Sequence, residues 1–212
     1  MINFEQENND ILKGYSMLLY FSGSFILNEP MESCIKDFAN GNLFRKMPIS
    51  SNNPNFILAS SFLNNISSKA PVSYDEILAD YLTLFGLSGI PQAPPFESYY
   101  CKEPASSKEM MPEVHYTYNA YGWQPKTAES VPHDHLGIEL QFLNLMLEKY
   151  HEIEDGVCHK ELSKDIKKFI DNHLRPWLSE WNAKMQEHAI SDFYKGIAFL
   201  VVACVQDVYF QV

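Results

Sequence analysis

The segment 131–147, VPHDHLGIELQFLNLML, places His133, Asp134 and His135 directly before a leucine-rich run. Imidazole and carboxylate groups are metal ligands, so a metal site is the first chemistry to test. Residues two apart on a helix point about 200° away from each other, so the two histidines cannot chelate one ion from a helical face. A further ligand would have to come from a distant side chain such as His115, which no motif identifies. We therefore expect no metal and no cofactor.

The same pair, Asp134 and His135, could act as the acid–base couple of a hydrolase or another small-molecule enzyme. Such chemistry needs a nucleophile or a second catalytic group across a cleft. The sequence contains no GxSxG motif and no glycine-rich phosphate loop. Catalysis is therefore the less favoured alternative.

A structural role for this segment follows from helix chemistry. Pro132 suits a first helical turn, and Asp134 near the amino end would oppose the helix dipole. The buried stripe of the helix would comprise Leu136, Leu140, Leu143 and Leu147. We expect a core helix whose polar tip, Asp134 and His135, reaches a binding surface. In the alternative, Asp134 only caps the helix and His135 only packs.

The rest of the chain must position this helix, and its apolar residues recur at spacings of three and four. Alternation typical of strands is nearly absent. Helix-start signals include Ser73 with Glu76, Pro176, and Ser191 followed by Asp192. Helices are predicted from about Gln6 to Ser22, Met31 to Ala39, Asn55 to Ile66, Ser73 to Phe85, Lys108 to Tyr121, Asp134 to His151, Lys160 to His173, Pro176 to His188 and Asp192 to Tyr209.

The pattern predicts an all-α fold: a compact helical domain of about nine to eleven helices. Two segments rich in proline or glycine interrupt it. Residues 86–100 should form an extended loop, because Pro91, Pro94 and Pro95 remove hydrogen-bond donors. Residues 122–132 are the best candidate for a hinge between lobes 1–121 and 133–212, which could exchange between copies in a dimer.

Composition limits the function classes. The formal net charge of −11 argues against a nucleic-acid partner and favours a basic one. The four cysteines are scattered and read as reduced thiols. The acidic amino terminus, MINFEQENND, is unlike a secretory signal, so we expect a cytoplasmic protein. The apolar stretches at 11–27 and 197–205 are too short or too interrupted for stable membrane insertion.

Two segments together resemble signatures of the TorD/DmsD family of redox-enzyme maturation chaperones. The segment VPHDHLGIELQFL resembles the family's Glu-Pro-x-Asp-His helix opening. The segment DYLTLFGLSGIPQAPPFESYY resembles its Leu-Phe motif followed by Pro-Pro-aromatic-x-Ser. Further likeness lies in YNAYGWQPK, FIDNHLRPWLSEW and DFYKGIAFL, so the order extends over almost the whole chain.

This sequence departs from the family pattern at two places. Val131 stands where the family has glutamate, with Glu129 the nearest substitute, and Thr83 stands where arginine is common. These departures bear on ligand chemistry at the signature, including the nucleotide binding proposed for some members, rather than on the fold.

The resemblance implies a cytoplasmic, non-catalytic chaperone. It would bind the twin-arginine leader and the apo form of a molybdopterin oxidoreductase, and hold that enzyme back until its cofactor is inserted. The closest alternative is an assembly chaperone of the nitrate-reductase type, whose client lacks an exported leader. A monomer is expected, with the lobe-swapped dimer as an alternative.

A twin-arginine leader presents guanidinium groups followed by an apolar stretch, so its receptor needs carboxylates beside a hydrophobic groove. Glu97, Asp134 and Glu139 would supply the carboxylates. The full set of expected peptide-binding residues is Tyr81, Phe96, Glu97, Ser98, Tyr99, Trp123, Pro132, Asp134, His135, Leu136 and Glu139.

Overall fold

A computed structural model of the protein describes residues 4–41, 44–46, 49–68, 73–86, 89–100, 114–127 and 131–212. Over these residues the chain forms helices and no strand, which confirms the all-α prediction. The helices are α1 (Phe4–Leu27), α2 (Glu32–Gly41), α3 (Pro54–Ser68), α4 (Tyr74–Phe85), α5 (Glu97–Tyr100), α6 (114–120), α7 (Leu136–Glu152), α8 (Gly156–Phe169), α9 (Arg175–His188) and α10 (Asp192–Gln211), with a 3₁₀ turn at Phe44–Lys46 and a π turn at Ile170–Leu174.

Several helix ends follow the predicted local chemistry. The Ser73 hydroxyl accepts a hydrogen bond from Glu76 N (3.2 Å), and Ser191 accepts one from Tyr194 N (3.3 Å). Pro176 lies in the first turn of α9, where its missing N–H costs least. The predicted helix from Lys108 begins outside the described residues, and its later part corresponds to α6.

Helix α1 continues to Leu27, about five residues past the predicted end at Ser22. Two further boundaries differ from the prediction. The segment 86–100 is not extended to its end, because Glu97–Tyr100 forms the short helix α5 after the prolines. Helix α7 begins at Leu136 and not at Asp134, because residues 134–136 pair with another segment of the chain. Both differences arise from the same contact between distant segments.

Helix α1 packs against α7 and α10, and α10 packs against α3 and α9. Contacts therefore run across the predicted hinge, whose residues 128–130 lie outside the described ones; the division into two lobes stays a prediction. The crossing of α1 and α7 is close because glycines face each other. A Cβ at Gly137 would lie 2.8 Å from the Gly23 carbonyl oxygen. Small residues here set the distance between the two helices.

Helix α10 carries much of the core. Among the described helices it alone has the length and apolar composition to cross a membrane, so the expectation that this stretch is too short is wrong. In the folded chain, 67% of the apolar part of α10 is buried. Its amino end is fixed by the buried Asp80, whose carboxylate accepts hydrogen bonds from Ile190 N and Ser191 N at 2.7–3.0 Å. These contacts are those of a core helix.

Candidate functional site

The two signature segments of the sequence lie side by side. Phe96 and His135 form an isolated antiparallel bridge. Glu97 N donates to Asp134 O (3.0 Å), and Leu136 N donates to Pro95 O (2.8 Å). We call the paired residues 95–98 and 134–136 the motif junction. The backbone hydrogen bonds fix the start of α7 against the start of α5, so the two motifs form one structural unit.

Asp134 lies inside the motif junction and is completely buried. Its Oδ2 accepts a hydrogen bond from Ser98 N (3.0 Å) in the first turn of α5. The carboxylate therefore stabilises the amino end of α5, not that of α7. Both the expected place of Asp134 in the first turn of α7 and its exposure on a surface are wrong. Pro132 is likewise outside the helix, in the turn closed by His135 N donating to Pro132 O (3.2 Å).

His135 is the residue that caps α7. Its Nδ1 accepts a hydrogen bond from Gly137 N (3.0 Å), and its ring packs edge-to-face on Phe96 with centroids 5.2 Å apart. The side chain is only 6% exposed, so the expectation of a surface histidine is wrong. Burial disfavours the charged imidazolium and lowers the pKa of His135 to about 4. The imidazole is therefore neutral at physiological pH.

This lowered pKa predicts acid sensitivity with a definite sign. Between about pH 6.5 and pH 4 the unfolded chain binds a proton at His135 that the folded chain excludes, so stability falls as the pH falls. The full loss in the free energy of unfolding is about 3 kcal/mol. His135→Asn keeps an acceptor for Gly137 N but does not titrate. Urea denaturation at pH 6.5 and 4.5 should show a smaller loss in this variant, whereas parallel losses would contradict the assignment.

A third motif reaches the junction through His173, which lies in the π turn Ile170–Leu174. Its Nδ1 is 3.2 Å from Glu97 Oε2, and both side chains are buried. Burial raises the pKa of Glu97, while the hydrogen bond and charge of His173 lower it in part. Sequence reasoning missed His173; its only signal was its place in the FIDNHLRPWLSEW segment.

Glu139 and Tyr118 complete the buried polar cluster. Glu139 is completely buried, and its interaction with Glu97 favours the Glu97 carboxylate. The Tyr118 hydroxyl donates to His133 O (3.0 Å). Burial raises the pKa of Tyr118 well above its ordinary value, and the charges of Glu139, Glu97 and Asp134 add to this. The expected carboxylates thus converge, but inside the protein.

This arrangement does not fit acid–base catalysis by Asp134 and His135. The Asp134 carboxylate accepts a hydrogen bond from Ser98 N, and His135 Nδ1 accepts one from Gly137 N. Each group is therefore bonded to a backbone N–H and not positioned as half of an acid–base pair. Among the described residues no group of three or more His, Cys, Asp or Glu is placed to hold a metal ion. His133 lies against His115, with Nδ1 atoms 3.0 Å apart, and not against His135. The hydrogen bonds of Asp134 and Glu97 join distant segments of the chain.

The remaining predicted peptide-binding residues differ in their solvent exposure. Tyr81 and Leu136 are buried. Phe96, Ser98, Trp123 and Pro132 are half-buried, and Tyr99 is 55% exposed. Phe96 and Ser98 belong to the motif junction, and Tyr99 follows it directly in α5.

Comparison with known proteins places the chain in a class. Residues 58–183 match the family model described as nitrate reductase delta subunit. This span includes both halves of the motif junction and His173. The chain belongs to this family.

Curated proteins named chaperone protein TorD match the chain, which confirms the resemblance drawn from the motifs. The protein of Vibrio parahaemolyticus is 30% identical over 129 residues, 60% of this chain and 60% of the relative. That of Psychrobacter sp. is 28% identical over 65% of this chain and 62% of the relative, and that of Histophilus somni 30% identical over 64% of each. The chain thus matches about three fifths of the length of these relatives.

Proposed function

We propose that this protein is a cytoplasmic, non-catalytic chaperone for a molybdopterin oxidoreductase. It binds the twin-arginine signal peptide and the apo form of its client, assists cofactor insertion and delays export until insertion is complete. The observation that carries the proposal is the family match over residues 58–183, which includes all the segments that meet at the motif junction.

The geometry supports different roles for the predicted site residues. Tyr99, with Phe96 and Ser98 beside it, offers accessible aromatic and polar surface for a peptide. Asp134, His135 and the buried carboxylates position that surface and do not touch the ligand. This division differs from the expected direct contact by Asp134 and His135, and it can be tested by substitution.

A second candidate function is assembly of a nitrate-reductase-type catalytic subunit without an exported leader. The description of the matching family, nitrate reductase delta subunit, favours it. The two candidates differ only in the client. Capture of partners from anaerobically grown cells distinguishes them: a leader-bearing molybdoenzyme supports the first and a leaderless one the second. Recovery of neither would contradict both.

The accessible surface gives a specific prediction for that experiment. Tyr99→Ser should lower the affinity for the captured client about tenfold, because exposed aromatics commonly dominate peptide interfaces. The matched control is Phe210→Ser, which alters an equally aromatic side chain, 80% exposed, near the carboxyl end. Titration of the purified client subunit measures both. Equal affinities for Tyr99→Ser and the control would exclude Tyr99 from the interface.

A further inference from the structure

A groove lies between α1 and α7. We call it the α1–α7 groove; its volume is about 730 Å³. Met17 and Tyr20 from α1 line one side, and both are unusually exposed for apolar residues, at 61% and 58%. Leu145 of α7 and Trp123 add to the apolar lining. An exposed methionine and aromatic residues in one groove are typical of surfaces that bind apolar peptide segments.

The groove also contains a fixed carboxylate. Glu148 lines it on α7, and its Oε1 accepts a hydrogen bond from Asn144 Nδ2 (2.9 Å). Asn144 is itself buried and accepts a hydrogen bond from the Ser16 hydroxyl. This Ser16–Asn144–Glu148 chain orients the carboxylate before any ligand arrives, which lowers the cost of binding a cation.

We propose that the α1–α7 groove binds the arginine-bearing, apolar part of a leader peptide, with a guanidinium at Glu148 and apolar side chains on Met17, Tyr20 and Leu145. The inference rests on the proposed chaperone function and puts the leader peptide in the groove, apart from the Tyr99 surface that is tested with the client subunit. The net charge of −11 on the whole chain favours a basic ligand; among the described residues that line the groove, Glu148 is the acidic side chain and Lys126 the basic one.

The form of the ligand follows from the spacing of the lining residues. Gln141, Leu145 and Glu148 lie along eight residues of α7, about 10 Å at 1.5 Å per residue. This length accommodates about two turns of a helical peptide, whose side chains at i, i+3 and i+4 would meet the groove. A helical segment also satisfies its own backbone hydrogen bonds, so it can lie on an apolar surface.

The groove supplies what the motif junction lacks. A twin-arginine peptide needs a carboxylate beside apolar surface, and Asp134, Glu97 and Glu139 are completely buried. Glu148 is exposed and borders the apolar residues directly. Trp123, from the loop after α6, belongs both to the predicted peptide-binding set and to the groove.

Fluorescence anisotropy with two synthetic 20-residue peptides tests the proposal. One carries Arg-Arg followed by ten leucines and alanines, and the other carries Gln-Gln in the same frame. Tyr20→Ser should raise the Kd for the arginine peptide about tenfold, and Met17→Ser serves as a second groove variant. Glu148→Gln should raise it about tenfold for the arginine peptide and less than twofold for the glutamine peptide. Phe210→Ser and Glu187→Gln are the exposed controls.

The possible results distinguish a failure of the groove assignment from a failure of the proposed chaperone function. If the wild-type protein binds the arginine peptide but Tyr20→Ser, Met17→Ser and Glu148→Gln remain within twofold of it, the groove is excluded while the chaperone proposal stands. If the wild-type protein binds neither peptide, leader binding itself is contradicted, and the groove assignment falls with it. Loss of affinity in the groove variants, with unchanged controls and melting temperatures, supports the proposal.

Discussion

Replacing Gly137 with alanine should lower the free energy of unfolding by about 3 kcal/mol, and valine should lower it further. A Cβ at this position would lie 2.8 Å from the Gly23 carbonyl oxygen and 2.8 Å from Leu27 Cβ. The first contact is with backbone, which cannot rotate away as a side chain can. Helices α1 and α7 would therefore have to separate, losing buried contacts along their length.

Urea denaturation of Gly137→Ala beside Gly156→Ala measures this effect. Gly156 begins α8, and a Cβ there would meet no atom within 4 Å. Its replacement should be neutral or slightly stabilising, because alanine favours helix more than glycine does. Equal stabilities of the two variants would mean that the helices do not cross at Gly23 and Gly137. Since the α1–α7 groove depends on this crossing, its geometry would then also be in question.

The second large effect concerns Asp134. Asp134→Ala should cost about 2 kcal/mol, because Ser98 N loses its carboxylate acceptor within a largely buried junction. Asp134→Asn should cost less than about 1 kcal/mol, because the amide oxygen can accept the same hydrogen bond and no charge is buried. The difference between the two variants reports on the hydrogen bond, and thermal or urea unfolding measures it.

Peptide affinity of the same variants separates positioning from contact. Asp134→Asn should bind the arginine peptide like the wild-type protein, since the carboxylate is inside the molecule. If Asp134→Asn loses affinity while its stability is unchanged, Asp134 contacts the ligand directly and the positioning role is wrong. Glu187→Gln, at an exposed acid of α9, is the matched control for loss of one negative charge.

Local chemistry predicted the helical class and several helix ends well. Ser73, Pro176 and Ser191 act where their residue types indicate, because capping depends on neighbours within one turn. The leucine stripe of α7 is buried for the same kind of reason, since helical periodicity places its members on shared faces. These features require no knowledge of distant residues.

The surroundings of Asp134 and His135 differ from the prediction because their partners lie far away in sequence. Asp134 binds Ser98 N, 36 residues earlier, and His135 faces Phe96. A sequence pattern shows that acid and imidazole are present but not whether another segment covers them. The same limit explains His173, which meets Glu97 across 76 residues. The exposure of these motif residues depends on tertiary contacts that the sequence pattern does not show.

A nuclear magnetic resonance titration of His135 tests most directly whether the polar residues of the motif junction are buried and join two segments of the chain. With the ring carbons labelled with ¹³C, the His135 signal should titrate with a pKa of about 4, and the cap at Gly137 N should keep Nδ1 unprotonated at neutral pH. A pKa near the ordinary value of 6.5 would show a solvent-exposed imidazole. That result would contradict the buried junction and restore Asp134 and His135 as candidates for direct peptide contact.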